Sequence, residues 1–222
     1  GLLHSCTIQP KKSSIHWKRG KPIQTLLQAC DDFKVDLLLL GALKRENVLK
    51  FYLGSIARKI TRRAKCSVML LINPSVERHP CEHIVVNGFD SPQTKDTIEA
   101  AFIVAKAFET PKITLVEEIS RSKVAVSVDD DRSLRMATLR KERLRRQEQT
   151  RVRDVVKKLP AEIKKDVNWV TQSIFGRRGY SIGHYARIVR SDLLIMNAQE
   201  NSSFFDRFFT RDLDHILAEL PT

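Results

Sequence analysis

Hydrophobic positions along this chain alternate between two spacings. Gly20-Lys21-Pro22 opens a helical pattern that puts Ile23, Leu26, Leu27 and Cys30 on one face. Pro22 suits the first turn, where its missing N–H would have no partner anyway. Asp36 to Leu40 is then a nearly continuous apolar run closing at Gly41, which predicts a strand buried on both faces. Ser55 to Ala64 returns to helical spacing, with Ile56, Ile60 and Ala64 inward and Arg58, Lys59, Arg62 and Arg63 outward. Val68 to Ile72 is a second buried strand, closed by Asn73-Pro74. After a linker over 73–80 the alternation restarts. His83 to Val86 reads as a strand, and Ser91-Pro92 caps a helix carrying Ile98, Ala101, Phe102, Ala105 and Phe108. Ile113 to Ile119 is a strand, Asp131 to Leu159 a long charged helix, and Val167 to Phe175 a strand. Ser181 to Val189 is helical, Asp192 to Met196 a strand, and Phe204 to Leu220 a last helix.

Strands that alternate with helices predict an α/β fold, a doubly wound parallel sheet covered on both faces. The pattern also repeats. Gly20 precedes Asp36-Leu37-Leu38 by 16 residues, and Gly176 precedes Asp192-Leu193-Leu194 by 16, an offset of 156 in both cases. The expectation is therefore tandem units: residues 1–78 as the second half of one, and 79–222 as most of another lacking its last strand. A first residue Gly1 rather than Met points to a piece of a longer protein.

Composition narrows the classes. With 42% hydrophobic and 29% charged residues among 222, the chain has the makeup of a folded protein. No apolar run approaches the ~20 residues of a membrane span, and no basic-then-apolar leader opens the sequence, so the expected location is the cytoplasm. Cys6, Cys30, Cys66 and Cys81 match neither a disulfide framework nor a paired zinc motif and read as free thiols. The net charge of +13 implies attraction to something anionic, and it is not spread evenly. Residues 1–78 carry 15 cations against 5 anions, and residues 132–165 carry 13 against 4, whereas 79–131 and 166–222 are net acidic. Two oriented basic surfaces suit an acidic partner or an acidic membrane face better than a general polyanion. Nucleic acid is not expected, because neither interleaved aromatics nor a recognisable binding module accompanies the basic helix.

The sharpest chemical candidate is Gly41-Ala42-Leu43-Lys44, nine residues, then Gly54-Ser55-Ile56-Ala57. A glycine at the carboxyl end of a buried parallel strand lets the backbone turn sharply beside the crevice where ligands collect. A Gly-Ser pair opening the next helix offers free N–H groups and a hydroxyl to a phosphate. A plain strand-to-helix turn with a serine cap explains the same residues equally well.

Gly20-Lys21-Pro22, Asp36 to Gly41, Gly54 to Ala57 and Cys66-Ser67-Val68-Met69-Leu70 together resemble the C-terminal half of a universal stress protein domain. His83 to Val86 and the helix to Phe108 resemble the start of a second one. The resemblance implies a flavodoxin-like, adenine-nucleotide-hydrolase-like sheet, pairing as a homodimer or in tandem. It also implies a regulatory rather than enzymatic role, with ATP or another adenine nucleotide bound by some members. In nucleotide-binding members the loop reads Gly, two residues, Gly, nine residues, Gly, then Ser or Thr. Here Lys44 stands at the middle glycine, either adding a phosphate-binding charge or filling the pocket, and the second reading is preferred. Gly41, Lys44, Gly54, Ser55 and, for the second unit, Asp90 are the nucleotide or phosphate candidates. The 156-residue offset places Asn197 and Glu200 at the first two glycines of the second unit, and Thr210-Arg211 at Gly-Ser. Such domains also occur fused behind membrane transporters, so the cytosolic tail of a cation/proton antiporter is a further expectation.

Other motifs are weaker. His79-Pro80-Cys81-Glu82-His83 alternates metal-ligand types, but no second cluster completes a tetrahedral site, so no metal is assigned. No nucleophile–base constellation supports catalysis. Gly176-Arg177-Arg178-Gly179 falls where a strand-to-helix turn is due. Phe204, Phe205, Phe208 and Phe209 cover a wider arc than one buried face needs, which divides them between core and interface.

Overall fold

The structure, a computed structural model, describes residues 12–42, 55–72, 77, 79–124, 129–176 and 180–197. The chain divides into two compact units, Gly1–Leu40 with Ser55–Met69, and Gly41–Gly54 with Leu70–Thr222.

In the first, α1 (Pro22–Asp32) begins with Pro22 in its first turn, as its fixed φ favours, and buries Cys30. Strand β1 (Leu37–Ala42) pairs with β2 (Ser67–Ile72) in a two-stranded sheet, and α2 (Ser55–Thr61) lies between them in sequence. Two expectations fail here. Leu37 and Leu39 are 51% and 55% exposed, so β1 is covered on one side only. Ile56 is also exposed, leaving Ile60 as the buried residue of α2. A continuous apolar run reports what a strand could bury; the number of elements laid over it decides what it does bury.

The second unit holds β3 (His83–Asn87), α3 (Thr94–Phe108), β4 (Lys112–Ser120), α4 (Arg121–Val124), α5 (Asp131–Lys157), α6 (Ala161–Lys164), β5 (Asn168–Gly176), α7 (Tyr180–Ile188) and β6 (Leu193–Ile195). Its four strands run parallel in the order β5-β4-β3-β6, with Ile84 opposite both Ile113 and Leu193. The chain winds outward from β3 to β5 and then returns to the other side of β3. That reversal makes the carboxyl ends of β3 and β6 the topological switch point. Helices α3 and α5 cover one face through Ile84, Val86, Ile98, Phe102, Leu115 and Val152. Helix α7 covers the other through Val85, Val116, Ile182 and Ala186. Alternate residues of β3 thus feed opposite cores, the period-2 geometry of a strand buried on both faces.

Sequence-based boundaries shift where side chains compete with the backbone. Helix α3 starts at Thr94 rather than at Ser91-Pro92, because the Thr94 hydroxyl donates to Phe89 O and accepts from the Ser91 N–H, closing a turn ahead of the helix. Phe108, expected inside, is half exposed at the last turn. Helix α5 begins at a capping box in which Asp130 accepts from the Ser133 N–H at 2.7 Å and Ser133 Oγ accepts from the Asp130 N–H at 3.0 Å. It is about 40 Å long, and it buries Val152 and Val156 near its carboxyl end while Leu134 and Leu139 remain exposed. The apolar positions of this helix therefore meet the core only in its later turns. The expected helix over 204–220, with its phenylalanine band, lies outside the described residues.

Described positions 156 residues apart behave alike around the two repeated glycines. Gly20 precedes α1 and Gly176 ends β5, and a Cβ at either would collide with the hydroxyl five residues on, Thr25 or Ser181. Cys30 and Ala186, at the same offset of 156, are both buried and both accept an N–H at the helix end, from Val35 and Ser191. Lys34 and Arg190 share a left-handed φ of 49°. Strands β1 and β6 begin at Leu37 and Leu193, again 156 apart.

Candidate functional site

The switch point of the four-stranded sheet is built from Asn87 to Ser91, after β3, and from Met196-Asn197, after β6. In an open parallel sheet this is where a ligand would sit. Here the protein's own groups meet in it. Asn197 Nδ2 donates to Ser91 Oγ at 2.6 Å, tying the two strand ends together. Arg151, from α5, donates through Nη2 to Gly88 O at 2.6 Å and pairs with Glu148 at 2.9 Å. Its other nitrogen stands 3.8 Å from Asp90. Gly88 also lies tight against β4 and α5, since a Cβ there would stand 3.3 Å from both Val116 O and a Val152 methyl. A guanidinium thus rests on the loop after β3, and an amide bridges that loop to the end of β6.

Two charged residues interrupt the buried strand β4 at this same end. Glu118 accepts from the Ile182 N–H at 2.8 Å, in the first turn of α7, where a carboxylate complements the helix dipole. Glu117 points to the opposite face and is 1% exposed. One of its oxygens accepts from Ser173 Oγ at 2.9 Å, and the other has no hydrogen-bond partner. Burial raises the Glu117 carboxyl above its ordinary range, with the Ser173 hydroxyl and the Arg151 charge acting against that and Glu148 adding to it. Folding thus makes Glu117 hold its proton more tightly. Its contribution to stability is fully present below the ordinary value of 4.5 and is lost as pH rises through the elevated folded value. Replacing Glu117 by Gln should flatten the stability–pH curve over that window and add on the order of 1 kcal/mol at neutral pH. Denaturant midpoints for both proteins from pH 4 to 8 check this, and an unchanged slope would count against it.

The candidate residues separate between the sheets. Gly41 lies in β1, is exposed, and has open space where a Cβ would project. Ser55 opens α2, a seven-residue helix. Lys44 and Gly54 lie outside the described residues, as does the turn over 177–179. Asp90 belongs to the switch point of the four-stranded sheet, with its side chain 72% exposed. His83 of the His-Cys-His stretch is a core residue, its Nε2 2.8 Å from Thr114 Oγ1, and burial followed by the Lys112 charge holds its pKa below the usual value. Among the described residues no three His, Cys, Asp or Glu side chains gather as metal ligands.

Arg151, Glu117 and Ser91's bond to Asn197 were not singled out by sequence reasoning. The Glu117-Glu118 pair inside an otherwise apolar strand was the available signal for the first of these acids. Arg151 carries no such mark within a run of arginines.

The comparisons with known proteins agree with this architecture. Residues 3–71 match the family model described as Universal stress protein family. The fold is that of the universal stress proteins. A universal stress protein from Archaeoglobus fulgidus DSM 4304 superposes with a TM-score of 0.60 at 12% identity, over 91% of this chain and 65% of that one. A protein assigned to the universal stress proteins from Pseudomonas aeruginosa UCBPP-PA14 gives 0.62 at 13% identity, over 93% and 67%. A protein of unknown function from Pseudomonas aeruginosa PAO1 gives 0.57 at 13%, over 90% and 65%. This chain thus spans about two thirds of those universal-stress-protein-like structures. No curated protein matches it. No helix among the described residues is long and apolar enough to cross a membrane.

Proposed function

We propose that this chain is a non-enzymatic regulatory module of the universal stress protein type, built from tandem units and acting in a stress response without a resident nucleotide. The observation that carries this reading is the self-filled switch point, where Arg151 on Gly88 O and Asn197 on Ser91 use the groups a phosphate or ribose would need. Two features of the sequence support it. Lys44 replaces the middle glycine of the loop between Gly41 and Ser55, and Asn197 stands where the offset would put the second unit's first glycine. The shared backbone features of Lys34 and Arg190, and of the strands starting at Leu37 and Leu193, support the tandem arrangement. Attachment to a larger membrane protein such as a cation/proton antiporter, on its cytosolic side, fits the two basic blocks, which would meet an anionic membrane face.

The alternative is an ATP-binding stress protein using Gly41, Lys44, Gly54 and Ser55. Protein purified without added nucleotide and then denatured separates the two. The regulatory reading expects no adenine absorbance at 260 nm in the released fraction; near-stoichiometric adenine nucleotide would establish the alternative.

A further inference from the structure

Cys30 and Cys66 come together in the first unit from different elements, the third turn of α1 and the residue before β2. Both residues line one cavity of about 250 Å³. Neither is engaged in a disulfide. Lys34, Arg63 and Lys65 line the same cavity, and the Lys65 ammonium pairs with Asp31 at 3.0 Å on its wall. The matching position in α7 is Ala186, buried without a sulfur, so packing of this helix face does not itself call for a thiol. Two adjacent thiols beside an open, cation-rich cavity are the arrangement of a reactive pair rather than of two inert core residues.

We propose that Cys30 and Cys66 form a dithiol that a hydroperoxide oxidises to a disulfide across this cavity. Cys66, the less buried of the two, attacks the distal peroxide oxygen. The O–O bond breaks, an alcohol or water leaves, and a sulfenic acid remains on Cys66. The Cys30 sulfur then attacks the Cys66 sulfur, water departs, and the S–S bond forms. Each sulfur is oxidised by one electron, the two peroxide oxygens are reduced, and the two thiol protons leave in the alcohol and water. The cations of Lys34, Arg63 and Lys65 favour the departing oxyanion. Burial, then the neighbouring Cys66 and Asp31, raise the Cys30 thiol above its ordinary range, which suits the second, resolving position.

Treating the full chain with tert-butyl hydroperoxide and analysing it by intact mass and peptide mapping tests this. The expected result is a loss of about 2 Da, reversed by dithiothreitol, with Cys30- and Cys66-containing peptides joined. Cys66→Ser and Cys30→Ala should each abolish the linkage, while Cys6→Ser and Cys81→Ser leave it intact. Sulfinic acid on Cys66 without linkage, a bond involving Cys6 or Cys81, or no change of mass in the folded protein would each overturn the proposal.

Discussion

Replacing Phe102 by Ala is expected to cost the second unit about 3–5 kcal/mol. Phe102 is the largest side chain in that unit with no exposed surface, and it joins α3 to the core formed by β3, β4 and α5. Its removal leaves a cavity in the buried cluster it shares with Ile84, Ile98, Leu115 and Val152, residues held by the sheet ladder or by their own helices and unable to collapse fully into it. Since whole domains are stable by only about 5–15 kcal/mol, the variant should lose much of its cooperative denaturation transition. Phe108→Ala is the control. That ring is half exposed at the end of the same helix, and its loss should cost under about 1 kcal/mol. Equal midpoints for the two variants in urea would mean the core is not centred where the structure places it.

The second large effect is expected at Arg151. Changing it to Ala removes the donor to Gly88 O and the partner of Glu148, whose side chain is only 19% exposed. It also removes the charge that opposes the upward shift of the Glu117 carboxyl. A half-buried carbonyl and two neighbouring carboxylates left uncompensated should cost about 2–4 kcal/mol. Arg146→Ala provides the comparison, because that guanidinium is 78% exposed in its pair with Glu142 and should be worth at most about 0.5 kcal/mol. If the two arginine variants unfold at the same denaturant concentration, Arg151 is not the clamp described above.

The contrast between these arginines also shows what the sequence could reveal. Strands β3 and β4 were legible because His83 to Val86 and Ile113 to Ile119 are apolar enough to require cover on both faces. The same reasoning applied to Leu37 to Leu40 predicted burial that β1 does not have, because burial depends on which elements lie over a strand, and periodicity does not record that. Helix α5 was legible in extent from its run of charges. Which of its turns meet the core was not, since Leu134 and Val152 look alike in the pattern and differ only in whether the sheet reaches them. The switch point itself was not located from the sequence, which gave no strand order, although Asp90 and Asn197 were named. Arg151 and Arg146 have nearly identical surroundings in sequence, and only tertiary contact sets one on Gly88 and leaves the other in solvent. Asn197 lay between these cases: the 156-residue offset marked it as a departure from glycine, while its bond to Ser91 required the fold.

Where the protein's own side chains take the place of a nucleotide, as proposed, calorimetric titration of the intact chain with magnesium-ATP gives no heat beyond dilution throughout the micromolar range. A saturable isotherm with a micromolar Kd and a stoichiometry near one would contradict it.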